Sequence, residues 1–347
     1  MVISDKKISL NDEPFIIAEM SGNHDQSFKK AMRLVELAAE SGAHALKLQT
    51  YTADTMTINS SQDDFKINDE KSLWHGYNLY ELYQKAYTPW EWHEPIMERA
   101  NELGLICFSS PFDSSAVDFL EDLNVPAYKI ASFENLDYPL IEKVIKTGKP
   151  IIISSGLADL SELSSVVNFI KDNGCDELMI LKCTSSYPAS PEESNVSTIK
   201  HMRSIFGCEI GLSDHTMGIG VAIASLSFGA TAIEKHFTSS REEKGVDSDF
   251  SLEPSELRDL VVESKRAWQA IGNFKLGPTE SEIGSLQFKR SIYICEDIEI
   301  GEQFTNKNIR IIRPGFGLSP KFYDIILGKK SNRKLKKGTP LSWDFMG

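Results

Sequence analysis

The sequence predicts a (β/α)8 TIM barrel followed by a small β-rich domain. Three observations point there. Eight short apolar runs recur along the 347 residues, amphipathic stretches separate them, and the alternation stops after Ile271. Parallel strands covered on both faces read as apolar runs, strand–helix alternation makes a parallel sheet, and eight units close it.

The runs lie at 15–20, 44–50, 105–110, 127–132, 151–156, 178–184, 209–215 and 231–237. Each starts apolar and ends in polar or charged residues. In a barrel those ends form the catalytic face. The first helix, at 27–41, carries Ala31, Leu34, Val35 and Ala38, the i, i+3, i+4, i+7 stripe of a helix packed on a core. Stretches at 91–103, 114–123, 138–147, 161–173, 194–206, 218–228 and 254–271 continue the series. Several open on a Ser or Asp cap, and Gly42, Gly104, Gly148, Gly174 and Gly229 follow the ends of others.

One connection is abnormally long. Residues 51–89 follow the second strand, beginning polar and turning aromatic, and such loops inside a compact domain are usually functional. A lid or substrate wall at the catalytic face is expected. Residues 1–271 then form the barrel. Residues 272–288, punctuated by Gly and Pro, read as a linker, and 289–347 as a small mixed β domain with a modest core.

Composition narrows the function. The chain is 41% hydrophobic with a formal net charge of −13, ordinary for a protein with a real core and unlike a nucleic-acid binder. The basic cluster at 329–337 reads as a solvated loop. No run approaches the roughly 18 apolar residues of a membrane helix, and the first residues lack a signal peptide's apolar region, so a cytoplasmic location is expected. Five cysteines, an odd number without a C-x-x-C, argue for a reducing compartment and no disulfide framework. Cys107 and Cys183 sit in strand runs as small hydrophobes.

The strand ends carry the chemistry. His215 and His236 end the seventh and eighth runs, neighbours in a barrel, and two imidazoles there can share a divalent metal with carboxylate or water completing an N/O shell. Glu19 and Asp247 are expected nearby. His24 is a weaker candidate, whereas His44, His75, His93 and His201 read as structural. Lys47 and Lys129 point into the mouth from apolar strands and need anionic partners. With Ser132, Ser154, Ser155, Ser185 and Ser213 they suit a phosphate and a carboxylate. Internal pairing of Lys129 with Glu134 or Glu234 is the alternative. Glu19, Glu134, Asp214, Glu234 and Asp247 could position hydroxyls and move protons. Neither G-x-x-x-x-G-K-[ST] nor G-x-G-x-x-G occurs, which removes the nucleotide-loop readings.

The segments IAEMSGNH, LKLQTY, CFSSPFD, YKIASFE, ISSG, LKCTSSYP, GLSDHT and IEKHFT, followed by DSDFSL, resemble the sialic acid synthase family over nearly the whole chain. The tail, RSIY with GEQFTNKNIRIIRPGFGLSPKFYD, looks like that family's C-terminal antifreeze-like (SAF) domain. The resemblance implies condensation of phosphoenolpyruvate with an amino-sugar aldose. The sialic branch usually carries Asn where Ser185 stands, and the RPGFGLSPKFY stretch looks like the pseudaminic branch. The implied acceptor is then 2,4-diacetamido-2,4,6-trideoxy-L-altrose. N-acetylneuraminate or legionaminate synthesis is the alternative.

Carried over residue by residue, the resemblance puts Lys47, Lys129, Ser132, Ser154 and Ser213 at phosphoenolpyruvate, with Ser185 beside them. It makes His215 and His236 the ligands of a divalent metal, Mn2+ first, with Mg2+ or Co2+ as substitutes. Glu19, Gln49, Glu134, Tyr187, Glu234 and Asp247 fall on the sugar side, with Glu19, Glu134 and Asp247 as the catalytic carboxylates. Arg313 matches the arginine sent into the other subunit's active site, which implies a domain-swapped homodimer. A reading of a different class is an inactive binding protein with an antifreeze-like module. The intact strand ends and the charge at Arg310, Arg313 and 329–337 argue against it.

Overall fold

A computed structural model describes residues 1–70 and 72–347, which separate into two compact units, Met1–Gly272 and Asn273–Gly347. In the first, strands β1 (Phe15–Glu19), β2 (Ala45–Thr50), β3 (Ile106–Pro111), β4 (Tyr128–Ile130), β5 (Ile151–Ser154), β6 (Leu178–Cys183), β7 (Glu209–Asp214) and β8 (Ala232–His236) form a closed parallel barrel. Closure is made by β8 on β1, in a register that sets Ala232 beside Phe15 and His236 beside Glu19.

Strand parity then decides which side chains meet. Phe15, Ile17, Ala45, Phe108, Ala127, Ile152, Met179, Leu181 and Ala232 fill the barrel interior as one apolar cluster. Ile3 and Ile8, from the hairpin of Val2–Ile3 with Lys6–Lys7, join that cluster and plug one end. The sequence pattern had not revealed this hairpin. Alternate residues such as Ile16, Leu46 and Ile153 face outward into a second core beneath the helices.

The surrounding helices are α1 (Phe28–Glu40), α2 (His93–Glu102), α3 (Ser114–Asp122), α4 (Tyr138–Ile145), α5 (Leu160–Asp172), α6 (Thr198–Phe206), α7 (Gly220–Leu226) and α8 (Pro254–Ile271). α1 buries Ala31, Leu34, Val35 and Ala38, and the Ser27 hydroxyl accepts from Lys30 N as its cap. Asp159 and Glu162 close a capping box on α5, and Gly174, at φ 92°, follows its end. α2 starts at His93 rather than 91, after a 3-10 turn over Trp90–Trp92. Pro95 is tolerated in a first turn, where its missing N–H has no intrahelical role. α6 starts at Thr198 rather than 194, because Asn195 holds a left-handed φ of 43°.

The second unit pairs β9 (Ser291–Ile294) with β10 (Ile309–Ile312) in antiparallel register. Ile292, Ile294, Ile298, Phe304, Ile309, Ile326, Leu335 and Leu341 make its core. The stretch read as a linker contains 3-10 turns over Glu280–Phe288, all exposed. All five cysteines are free, and among the described residues no helix is long and apolar enough to cross a membrane.

Candidate active site

Above the apolar plug, the inward positions change from hydrocarbon to charge. Glu19, Lys47, Ser110, Lys129, Ser154, Cys183, Ser213 and Glu234 occupy the inner faces of successive strands and are all buried. Lys47 Nζ lies 2.8 Å from Glu19 Oε2, 3.7 Å from Glu234 Oε1 and 3.4 Å from Ser110 Oγ. Lys129 Nζ donates to Ser154 Oγ at 2.7 Å and lies 3.7 Å from Glu234 Oε1, which also accepts from Ser213 Oγ at 3.1 Å. Of the two internal partners considered for Lys129, Glu234 is thus the one in reach. Glu19 and Glu234 serve as counter-ions here: Glu19 Oε2 faces Lys47, whereas Glu234 Oε2 is buried without a hydrogen bond.

Burial sets the protonation. It pushes the Glu19 carboxyl up to about 7 against the pull of Lys47. On Glu234 burial works upward too, but the two lysines outweigh it and the value falls. Burial lowers Lys129, whereas on Lys47 the two carboxylates overcome it and the value rises. Glu134, whose Oε2 is buried without a partner, is likewise pushed up to about 7 by burial.

Gly156 shapes the floor. A Cβ built there would stand 2.5 Å from Ser132 Oγ and closer still to Ser185 Oγ. Only a glycine lets those two hydroxyls converge beside the Lys129–Ser154 pair. Asn135, whose amide donates to Ser154 O and Gly156 O at 3.1 and 2.9 Å, fixes the backbone that follows β5.

The imidazoles of His215 and His236 meet edge-on with centroids 5.3 Å apart, and the Tyr187 ring lies tilted 4.4 Å from that of His215. His215 Nδ1 donates to Thr184 O at 2.9 Å, which leaves Nε2 as its donor atom toward a cation. His236 Nδ1 is buried without a hydrogen-bond partner, 3.7 Å from Asp247 Oδ2. Burial, and then the positive charge of His215, hold His236 well below the usual histidine range and therefore neutral. Among the described residues no three His, Cys, Asp or Glu side chains converge as a preformed metal cage. Glu19, expected near the metal, is engaged by Lys47 and by Gln49 Nε2 at 2.8 Å.

Asp247 accepts a short hydrogen bond from Ser21, which also accepts from Gln49 Nε2 at 3.2 Å. Asn23 holds the Asp247 loop, donating to Phe237 O and Ser251 Oγ and accepting from Asp247 N. A cavity of about 290 Å3 adjoins these groups, lined by Gln49, Glu134, Tyr187, His236 and Asp247 on its polar side. Met56, Ile67, Trp74, Leu82 and Tyr83, all from 51–89, supply its apolar side. The long connection is therefore a wall of the cavity.

Most of the sequence candidates of the first unit line this lumen or adjoin it. Arg313 belongs to the second unit, where it is exposed directly after β10. Asp214 departs from expectation. It points away from the lumen and pairs with Lys235 at 2.9 Å, because Ser213 and His215 take the inward parity. His93 and His44 are structural, bonded to Thr50 Oγ1 and Ile16 N, and His24 binds Thr88 Oγ1. Ser110, Gly156 and Trp74 were missed as site residues, and Cys183 was read only as a hydrophobe. Cys183 faces inward beside His215 and Ser185; burial pushes its thiol up, but the His215 contact together with Ser132 and Lys129 draws it down to about 7. Counting alternate positions back from the strand ends would have found Ser110 and Cys183.

A closed parallel barrel with paired lysines, converging hydroxyls and two imidazoles at its C-terminal rim is a (β/α)8 enzyme whose site suits an anionic substrate. The chain belongs to the NeuB family, whose model matches residues 34–275, and residues 289–345 match the SAF domain. It is 44% identical to the pseudaminic acid synthase of Helicobacter pylori, over 95% of this chain and 97% of that protein. Identity to the pseudaminic acid synthase of Campylobacter jejuni subsp. jejuni serotype O:2 is 41%, over 97% and 96% of the two chains. Among solved structures it resembles an N-acetylneuraminic acid synthetase from Leptospira borgpetersenii, crystallised with citrate. The TM-score is 0.73 at 31% identity, covering 83% of this chain and 95% of that one.

Proposed function

We propose that this chain condenses phosphoenolpyruvate with 2,4-diacetamido-2,4,6-trideoxy-L-altrose and water, giving pseudaminic acid and phosphate. The observation that carries the reading is the inner layer of Lys47, Lys129 and Ser154 with the hydroxyls over Gly156, in a chain so close to two pseudaminic acid synthases. Lys47 and Lys129 hold the phosphate and carboxylate of phosphoenolpyruvate, which replaces Glu234 as the partner of Lys129. Ser132, Ser154, Ser185 and Ser213 donate to the same oxygens. Gln49, Tyr187 and Asp247 position the open-chain sugar so that its aldehyde carbon meets C3 of phosphoenolpyruvate, and the new C–C bond forms there. Water then adds at C2, and Glu134, ionised above about pH 7, takes its proton. The tetrahedral intermediate expels phosphate by C–O cleavage.

The donor set of His215 and the orphaned His236 Nδ1 fits a divalent cation in an N/O shell, Mn2+ first, with Mg2+ or Co2+ as substitutes. Such a cation supplies Lewis-acid polarisation of the aldehyde. Among the described residues no third protein ligand converges there, so water or substrate oxygens would complete the shell.

The same reading has the enzyme work in the cytoplasm as a homodimer, each SAF domain capping the partner barrel and lending it Arg313. Its support is the RPGFGLSPKFY stretch and the exposure of Arg313. A coupled phosphate-release assay tests the assignment. The 6-deoxy diacetamido altrose should exceed N-acetylmannosamine and the legionaminic precursor at least tenfold in kcat/KM, since a site built for its substituents leaves polar groups unpaired without them. Equal rates would overturn it.

A further inference from the structure

The 290 Å3 cavity does not stand alone. A second cavity of about 660 Å3 lies against it, with Asp25, Lys85, Lys244 and Asp249 on its lining. Trp74, Leu82 and Val246 line both. These three side chains are therefore the partition between an inner, largely apolar pocket and an outer, charged one. The partition is tied together from two distant parts of the chain. Trp74 Nε1 donates to Val246 O at 3.0 Å, which joins the 51–89 excursion to the loop after β8. Leu82 is 7% exposed, and the Trp74 ring lies 5.7 Å from that of Tyr187, at the reacting side of the pocket.

We propose that Trp74 and Leu82 are specificity-determining residues that set the size limit on the acceptor sugar, closing the inner pocket behind its N-acyl and other apolar substituents. The proposal rests on the condensing reaction above. Glu134, His236 and Asp247 line the inner pocket, so the reacting end of the aldose belongs against them. Its remaining substituents then meet Met56, Leu82 and Tyr83. A polar hydroxyl gains nothing against hydrocarbon, whereas a methyl or acyl group is welcomed. An acyl chain a few carbons longer than acetyl would run into the partition, and beyond it lies open volume. Cutting the partition back merges the two cavities and admits the longer acyl chain.

The test compares an N-acetyl acceptor with its N-butanoyl homologue, in wild type, Leu82→Ala and Trp74→Ala. In both variants the butanoyl-to-acetyl ratio of kcat/KM should rise at least tenfold, while the KM for phosphoenolpyruvate stays within twofold. Leu82→Val, a gentler cut, should raise the ratio about threefold and decides the matter should Leu82→Ala misfold. An unchanged ratio in folded Leu82→Val and Trp74→Ala enzymes overturns the proposal. The ratio is read on whichever N-acyl aldose the wild type turns over. Preference for another sugar would sink the pseudaminic assignment while leaving the partition separately judged.

Discussion

Gly156→Ala is the sharpest probe of the phosphoenolpyruvate cradle. Gly156 is not among the glycines with positive φ, so alanine can adopt its backbone conformation and any loss must be steric. The added Cβ would lie 2.5 Å from Ser132 Oγ, 2.9 Å from Ser132 Cβ and nearer still to Ser185 Oγ. To regain an ordinary 3.4 Å contact, Ser132 Oγ alone must retreat by about 0.9 Å. A displacement near 1 Å in a positioning group costs roughly 100-fold, or about 2.7 kcal/mol of transition-state stabilisation. Phosphate release would be followed with phosphoenolpyruvate varied under saturating acceptor. The expected result is a fall of about 100-fold in kcat/KM for phosphoenolpyruvate, with the acceptor KM nearly unchanged. Ser132→Ala should partly rescue Gly156→Ala by removing one of the two crowded oxygens. A Gly156→Ala enzyme within threefold of wild type would refute the cradle.

Chelation should abolish turnover and Mn2+ or Co2+ restore it, with His215→Ala and His236→Ala each losing more than about 100-fold; full activity after chelation would exclude the metal. Glu134 carries its proton up to about pH 7 in the fold but releases it near 4.5 when unfolded, so the fold binds the extra proton between those values and its contribution to stability is lost as pH rises through them. Glu134→Gln should accordingly gain Tm over wild type more at pH 8 than at pH 5, and should remove the rise in kcat near pH 7. Arg313→Ala should inactivate without unfolding. Mixing it with Lys129→Ala after joint unfolding and reassembly should then recover up to about a quarter of wild-type sites, as reciprocal capping in a twofold dimer requires. Demonstrated hybrids without activity would rule out an arginine acting across the dimer.

Much of this protein was legible in its sequence because the barrel repeats one simple unit. A run buried on both faces must be apolar, and a helix covering it must show a stripe, so 15–20 and 27–41 announced β1 and α1 with errors of a residue or so. The polar ends of the runs named Lys47, Lys129, His215 and His236, since charge at the end of a buried strand needs a reason. Sequence position could not say which neighbours those groups would choose. Glu19 looked like a free carboxylate, yet the β1–β2 register sets it beside Lys47, and closure of β8 onto β1 brings Glu234 to the same amine. Asp214 looked like a site residue, but parity turns it outward to Lys235. Gly156 became informative only when Ser132 and Ser185 were seen to converge on the space its missing side chain leaves. The partition of Trp74, Leu82 and Val246 joins segments about 170 residues apart in the chain. Local pattern reports what each segment must bury. Which segments meet, and at what distance, is fixed by closure and register, and those exist only in the folded chain.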